Sequence, residues 1–286
     1  MKVLVLGGTG TVGSATVQGL LAKQVDVTVL TRHAGAAKLP AGVKGITGDL
    51  LDINVIKTAF KGFDVAYILT ALHDSEAHQG LLAVNGAVMG GVKKIVFLSI
   101  HHLDQAPHLP HFGAKIPIEL AIKASGVPYT ILRPNNFYQN DLWYKEVIMG
   151  YGIYPQPIGS TGISRVDVRD IADVGVTAIT TKQCDNETVD LVGPEVVTGP
   201  GTAEVWSQVL GKPIKYGGDD LDAWEQANLA YSPAWQVFDF KMMYAFFQQR
   251  GLKASPEAIA RQTRLLGHAP RRYTAFVEET AKSWKS

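Results

Sequence analysis

The sequence predicts an α/β fold: a doubly wound parallel sheet followed by a smaller, mostly helical C-terminal region. Three observations carry this: apolar strands alternate with helical segments through the first half, the strands are apolar almost without interruption, and the texture changes near residue 150. Strands joined by helical crossovers run parallel, and a sheet covered by helices on both faces needs strands that are apolar on both sides.

KVLVL at 2–6 is the first strand and TVGSATVQGLLAK, from residue 11, the helix after it. DVTVL at 26–30 is the second strand, and VKGI at 43–46 a weaker third. DVAYILTA at 64–71, the helical SEAHQGLLAVNGAVMGG at 75–91, KIVFLSI at 94–100 and YTILRP at 129–134 complete the alternation. GYGIYPQPIGSTG at 150–162 then breaks the pattern with Gly and Pro. The expected division is a sheet domain over 1–150 and a smaller substrate or partner region over 151–286. TVDLVGP at 188–194 is one further strand able to return to the main sheet, so the two regions interleave.

Composition narrows the function. Twenty-seven Lys and Arg against 26 Asp and Glu leave a net charge of +1, without the basic cluster that displaces counterions from nucleic acid. The single cysteine, Cys184, forms no intrachain disulfide and anchors no zinc spacing, so a reducing, cytoplasmic setting is the default. No apolar run approaches the ~20 residues of a membrane helix, and the run before the first glycines is too short for a signal peptide. Six of the eight histidines fall between His73 and His111. Their spacing matches no standard ligand set, and no metal is expected.

The stretch LVLGGTGTVGSATVQGLL sets Gly7, Gly10 and Gly13 three residues apart between a strand and a helix. That pattern serves a tight turn, close approach to a pyrophosphate and close helix packing, with the phosphate at the helix N-terminus. Gly7, Gly8, Thr9, Gly10, Thr11 and Val12 are therefore the expected cradle of a Rossmann-type dinucleotide site. After the second strand, where an NAD site carries an acid for the ribose hydroxyls, the chain reads Thr31-Arg32-His33. The planar fork of Arg32 suits a 2′-phosphate, so NADP(H) is the expected cofactor. GDLLD at 48–52 offers Asp49, with Leu50 beside it, to the adenine, while Asp52 caps the next helix. Thr70 and Ala71 end the fourth strand at the ligand-binding edge.

With GGTGTVG, GDLLD, VFLSIHH, HFGAKIPIE, SGVPYTILRPNNFYQN, VDVRDIADVG and WSQVLGKPIKY in order, the chain resembles the NmrA-like family of the atypical short-chain dehydrogenase/reductase superfamily. The resemblance implies NADP(H) bound across the glycine loop and Arg32, Lys115 near the nicotinamide ribose, and Asn136, Phe137 and Tyr138 bordering the nicotinamide. It also implies one of two functions: reduction of quinones, dyes or other planar compounds, or cofactor-sensing regulation of another protein without turnover.

The superfamily's catalytic set is Ser, Tyr and Lys. Ser99 and Lys115 match, but His111 stands in the tyrosine position. Imidazole, with a reference pKa of about 6.5, can still donate a proton, although a neighbouring lysine disfavours its charged form. Pro117 lacks an N–H and is harmless only in a first helical turn, so a helix is expected to start between Gly113 and Pro117, with His111 in the lead-in loop. The alternative for Lys115 is a surface lysine facing Glu119. The aromatics between Trp143 and Phe247 either line a pocket for a planar substrate or pack an ordinary core.

The primary reading is an NADPH-dependent reductase passing hydride to a small planar or conjugated acceptor; the rival is an NADP(H)-binding redox sensor. A small-molecule substrate is the expected partner, with neither nucleic acid nor membrane. The sensor reading adds a protein partner, and a homo-oligomer is compatible with both.

Overall fold

The computed structural model describes residues 1–35 and 39–285. Its first half runs β1 (Lys2–Leu6), α1 (Thr11–Ala22), β2 (Asp26–Thr31), β3 (Lys44–Thr47), α2 (Ile53–Thr58), β4 (Val65–Ile68), α3 (Glu76–Met89), β5 (Lys94–Leu98), α4 (Pro110–Gly113), α5 (Lys115–Ala124) and β6 (Tyr129–Pro134). There follow β7 (Ile153–Tyr154), α6 (Val168–Thr180), β8 (Glu187–Leu191), α7 (Gly199–Leu210), β9 (Lys215–Tyr216), α8 (Leu221–Asn228), α9 (Ala234–Arg250), α10 (Pro256–Leu266) and α11 (Tyr273–Lys285).

Seven strands form one sheet in the order β3-β2-β1-β4-β5-β6-β8, and the five pairings from β3 through β6 are all parallel. This is the α/β fold with a doubly wound sheet that the alternation predicts. The order reverses between β1 and β4, so the chain leaves β1 toward one edge and returns to the other side, opening a crevice at the carboxyl ends of these two strands. β4 and β5 are shorter than the apolar runs 64–71 and 94–100, because Leu69 to Ala71 and Ser99 to Ile100 leave the strands at that edge.

Two compact units can be distinguished. The first comprises Met1–Pro134, Val168–Asp190 and Arg264–Gly267; the second comprises Asn135–Asp167, Leu191–Thr263 and His268–Ser286. In the first unit, alternate strand residues Leu4, Leu6, Ala66, Ile68, Ile95 and Phe97 pack with Phe60, Ala83, Ala87, Ile118 and Ile122. This builds the core from α2, α3 and α5 on one face, while α1 and α6 pack together. The second unit holds the small parallel pair β7–β9 and most of the C-terminal helices. Among the described residues no helix is long and apolar enough to cross a membrane.

Candidate functional site

The crevice at the switch between β1 and β4 begins with Gly7. Its φ of +71° is a left-handed conformation that glycine adopts without penalty, and a Cβ there would fall 2.7 Å from the carbonyl oxygen of Leu69. The turn is closed by the Gly10 N–H donating to Gly7 O at 3.0 Å. Gly13 lies in the first turn of α1, where a Cβ would meet Gly7 O at 2.1 Å, so only glycine lets the helix sit this close to the loop. Gly10 differs: a Cβ there would meet only Gly7 O, at 3.4 Å. It is also the N-cap of α1 and offers no side-chain cap, which leaves the first N–H groups of the helix to an outside acceptor. Gly7, Thr9, Gly10 and Thr11 are exposed, whereas Gly8 and Val12 are buried beneath them.

Arg32 is exposed just past β2 and has no ion-pair partner among the described residues. Asp49 is exposed and holds its own turn by accepting from the Leu51 N–H at 2.8 Å; Leu50 packs against the core. Asp52 caps α2 by accepting from Asn54 N–H at 2.8 Å. Ala71 is exposed beyond the end of β4. An uncapped helix N-terminus and a guanidinium with no ion-pair partner among the described residues are donors for an anion, and the open glycine edge lets one approach, the chemistry a pyrophosphate and a 2′-phosphate require. These residues fit a phosphorylated dinucleotide.

Deeper along the same edge the polar groups are committed to one another. Lys115 is buried, with its Nζ donating to Glu76 Oε1 at 2.7 Å, to Thr70 Oγ1 at 3.0 Å and to Leu98 O at 3.4 Å. The Thr70 hydroxyl in turn donates to Glu76 Oε1 at 2.6 Å. All three ammonium protons are thus satisfied, the Leu98 bond being the longest. The lysine is neither a surface residue nor a partner of Glu119. Glu119 instead receives the Arg133 guanidinium through two bonds, at 2.9 and 2.8 Å, and the Ser99 hydroxyl at 2.5 Å. Burial would lower the Arg133 pKa, but the bonds and charge of Glu119 outweigh it and raise it.

His111 is where the reading of the proline needs correction. It lies in α4, a one-turn helix with Pro110 at its start, and Ala114 between α4 and α5 is itself helical at φ −59°, ψ −27°. A helix does start between Gly113 and Pro117, at Lys115, with Pro117 in its first turn where the missing N–H is tolerated, but Pro110 starts a further helical turn ahead of it. His111 is therefore on a helical turn rather than in a lead-in loop. Its ring meets Phe112 edge-on, with centroids 4.8 Å apart.

Sequence reasoning missed Glu76 and Arg133 and weighed Glu119 only as a surface partner of Lys115; the partners of all three lie on other elements of the fold. It also missed His101, which is 1% exposed and bonds Asp190 through Nδ1 at 2.9 Å, its Nε2 finding no partner among the described residues. Burial would raise the Asp190 carboxyl, but the bond from His101, with the charges of His101, His102 and Arg133, holds it below its ordinary value. His102 carries the only signal legible in hindsight: a second histidine at a strand end, here at φ +54°.

In the second unit, Tyr138 is buried. Its ring packs against Tyr273 and Phe276, its hydroxyl donates to Arg271 O at 3.1 Å, and it is 1% exposed. Asn136 Oδ1 accepts from Arg165 Nε at 2.9 Å and Phe137 O from Arg165 Nη2 at 2.6 Å. Arg165 is itself fully buried against Asp141 at 2.8 Å; burial would lower its pKa, but the Asp141 carboxylate raises it further.

The sequence model of the NmrA-like family matches residues 1–262. The chain belongs to the NmrA-like family. This NmrA-like chain is 31% identical over 229 residues to an NAD(P)H azoreductase of Xenophilus azovorans, covering 79% of each protein. It is 30% identical over 256 residues to a (4-alkanoyl-5-oxo-2,5-dihydrofuran-3-yl)methyl phosphate reductase of Streptomyces griseus, covering 88% of this chain and 89% of that one. Among solved structures, the NADPH complex of a quinone oxidoreductase from Escherichia coli superimposes with a TM-score of 0.86 at 20% identity, covering 97% and 99% of the two chains. Identity that low makes it a likeness of fold.

Proposed function

We propose that this NmrA-like protein is an NADPH-dependent reductase that passes hydride to a small planar or conjugated acceptor of the quinone or dye class. The observation that carries the cofactor half is the open edge at the switch point, where the α1 N-terminus has no side-chain cap and Arg32 has no ion-pair partner among the described residues. The acceptor half is supported by likeness to an azoreductase and to a second reductase, both at 30% identity or more.

When bound, the reduced nicotinamide supplies the hydride. The chain's own residues bind and orient. Backbone N–H groups of Thr11 and Val12 would hold the pyrophosphate, Arg32 the 2′-phosphate, and Asp49 and Leu50 the adenine. Lys115, whose longest bond is the one to Leu98 O, would be the residue to offer a proton to a ribose hydroxyl of the bound cofactor. Ser99 holds Glu119 in place. Hydride transfer to a quinone or cationic dye needs positioning more than a strong acid, so His111 in the tyrosine position is compatible with turnover.

One observation favours a redox sensor that binds NADP(H) and a protein partner without turnover: Ser99 and Lys115 are both engaged internally, and the tyrosine is missing. Following NADPH absorbance against a panel of quinones and azo dyes decides between the two. Oxidation above background with one acceptor class is expected, and NADPH binding without turnover of any acceptor refutes the enzyme.

A further inference from the structure

A half-open cavity of 280 Å³ lies within the second unit, lined by Trp143, Tyr144, Trp224 and Phe240 together with the amides of Asn228 and Gln236. None of its lining residues carries a formal charge at neutral pH. Asn228 is fixed by donating from Nδ2 to Trp224 O at 2.8 Å, whereas the Gln236 amide has no hydrogen-bond partner among the described residues. Trp143, one of the lining residues, is 67% exposed, and two further aromatics close to Gln236 along α9, Trp235 and Phe238, are 40% and 54% exposed. Apolar area of this kind left in water is costly unless something covers it.

We propose that this cavity binds a neutral, planar, two-ring aromatic bearing a carbonyl oxygen. The volume is nearly twice the ~150 Å³ that admits a single benzene ring, and it sits at the small end of the range for whole ligand pockets, so a fused bicycle fills it. Indole and phenyl walls favour a flat ring by offset or edge contact. The uncharged lining excludes an ion, which would lose its hydration without a counter-charge. Gln236 supplies an amide N–H for a carbonyl oxygen, the polar anchor such pockets use to fix orientation. The choice of a carbonyl-bearing ring rests on the reductase reading; the binding site itself requires no cofactor.

The test is equilibrium dialysis of the full chain against 1,4-naphthoquinone with no NADPH present. Saturable binding is expected, weakened about two- to tenfold by Trp143→Ala and retained by Trp143→Phe, with Gln236→Leu also weakened. Because Trp143 is mostly exposed, thermal melting of Trp143→Ala is expected to match the parent and to exclude misfolding as the cause. The proposal is overturned by absence of saturable binding, by affinity that Trp143→Ala and Gln236→Leu leave unchanged, or by a self-association seen in light scattering that Trp143→Ala abolishes, which would make the aromatics a seat for a second copy. Cofactor-free binding without any NADPH oxidation would sink the reductase reading alone. Turnover with Trp143-independent quinone binding would sink this one alone.

Discussion

Replacing Lys115 by Met isolates what the ion pair at the base of the crevice contributes. Glu76 is 2% exposed and would keep only the Thr70 hydroxyl as donor. Removing one partner of a buried pair costs about 3–5 kcal/mol, since the remaining carboxylate has neither water nor a counter-charge. Glu76 sits in the first turn of α3, where the helix dipole returns roughly 0.3–1 kcal/mol, which places the expected loss toward the lower bound. At about 2–4 °C per kcal/mol, Lys115→Met should lower Tm by roughly 6–15 °C in calorimetry. The double variant Glu76→Gln, Lys115→Met should recover most of that loss, because two neutral side chains of similar volume leave no stranded charge. If the two substitutions instead add, the pair is not coupled and the reasoning fails. The corollary concerns assays: activity lost in a Lys115 variant means something about chemistry only below its lowered melting temperature.

Four further outcomes are expected. Arg32→Ala should raise the Kd for NADPH by about 10- to 100-fold, the worth of charge-assisted bonds to a phosphate, and leave NADH nearly unchanged in the same fluorescence titration; equal losses would remove the 2′-phosphate from Arg32. Gly13→Ala should impair both Tm and NADPH binding, because a Cβ 2.1 Å from Gly7 O forces loop and helix apart. The Asp190 carboxyl is held below its ordinary value, so its contribution to stability is fully present above the unfolded carboxylate range and disappears as pH falls through the lower folded value; Asp190→Asn should therefore narrow its Tm gap to the parent in acid. His111→Ala should alter the pH–rate profile between about pH 5 and 8 if the imidazole gives up a proton, and an unchanged profile takes it out of the chemistry.

The parts of this molecule visible in its sequence are those governed by local rules. Val and Ile runs mark β1, β2, β4, β5 and β6 because a strand buried on both faces has little room for polar side chains. The glycine spacing 7, 10 and 13 marks the loop because a turn, an approach and a packing contact recur there at short range. Asp52 is readable as a cap for the same reason. What resisted reading depends on partners far along the chain: Glu76 meets Lys115 across 39 residues, and His101 meets Asp190 across 89. A charged residue in a one-dimensional string looks solvated unless its counter-charge is known. The misplacing of His111 in a loop has a different origin. Two prolines, Pro110 and Pro117, both satisfy the first-turn rule, and the fold uses both by dividing one helix into two pieces.

Asp141 sets a condition on the order of assembly. Its two oxygens accept from Tyr154, Gln156, Arg165, Trp206 and Tyr273, and the last of these lies 132 residues downstream, at the start of α11. A nascent chain holds Arg165 and Asp141 long before it holds Tyr273, and until then a buried acceptor lacks one of its donors. The second unit therefore reaches its final packing only when the C-terminal helix has been synthesised, whereas β1 to β6 are all complete by residue 134. Truncation ahead of Tyr273 should leave a molecule whose sheet domain is formed and whose second unit melts separately.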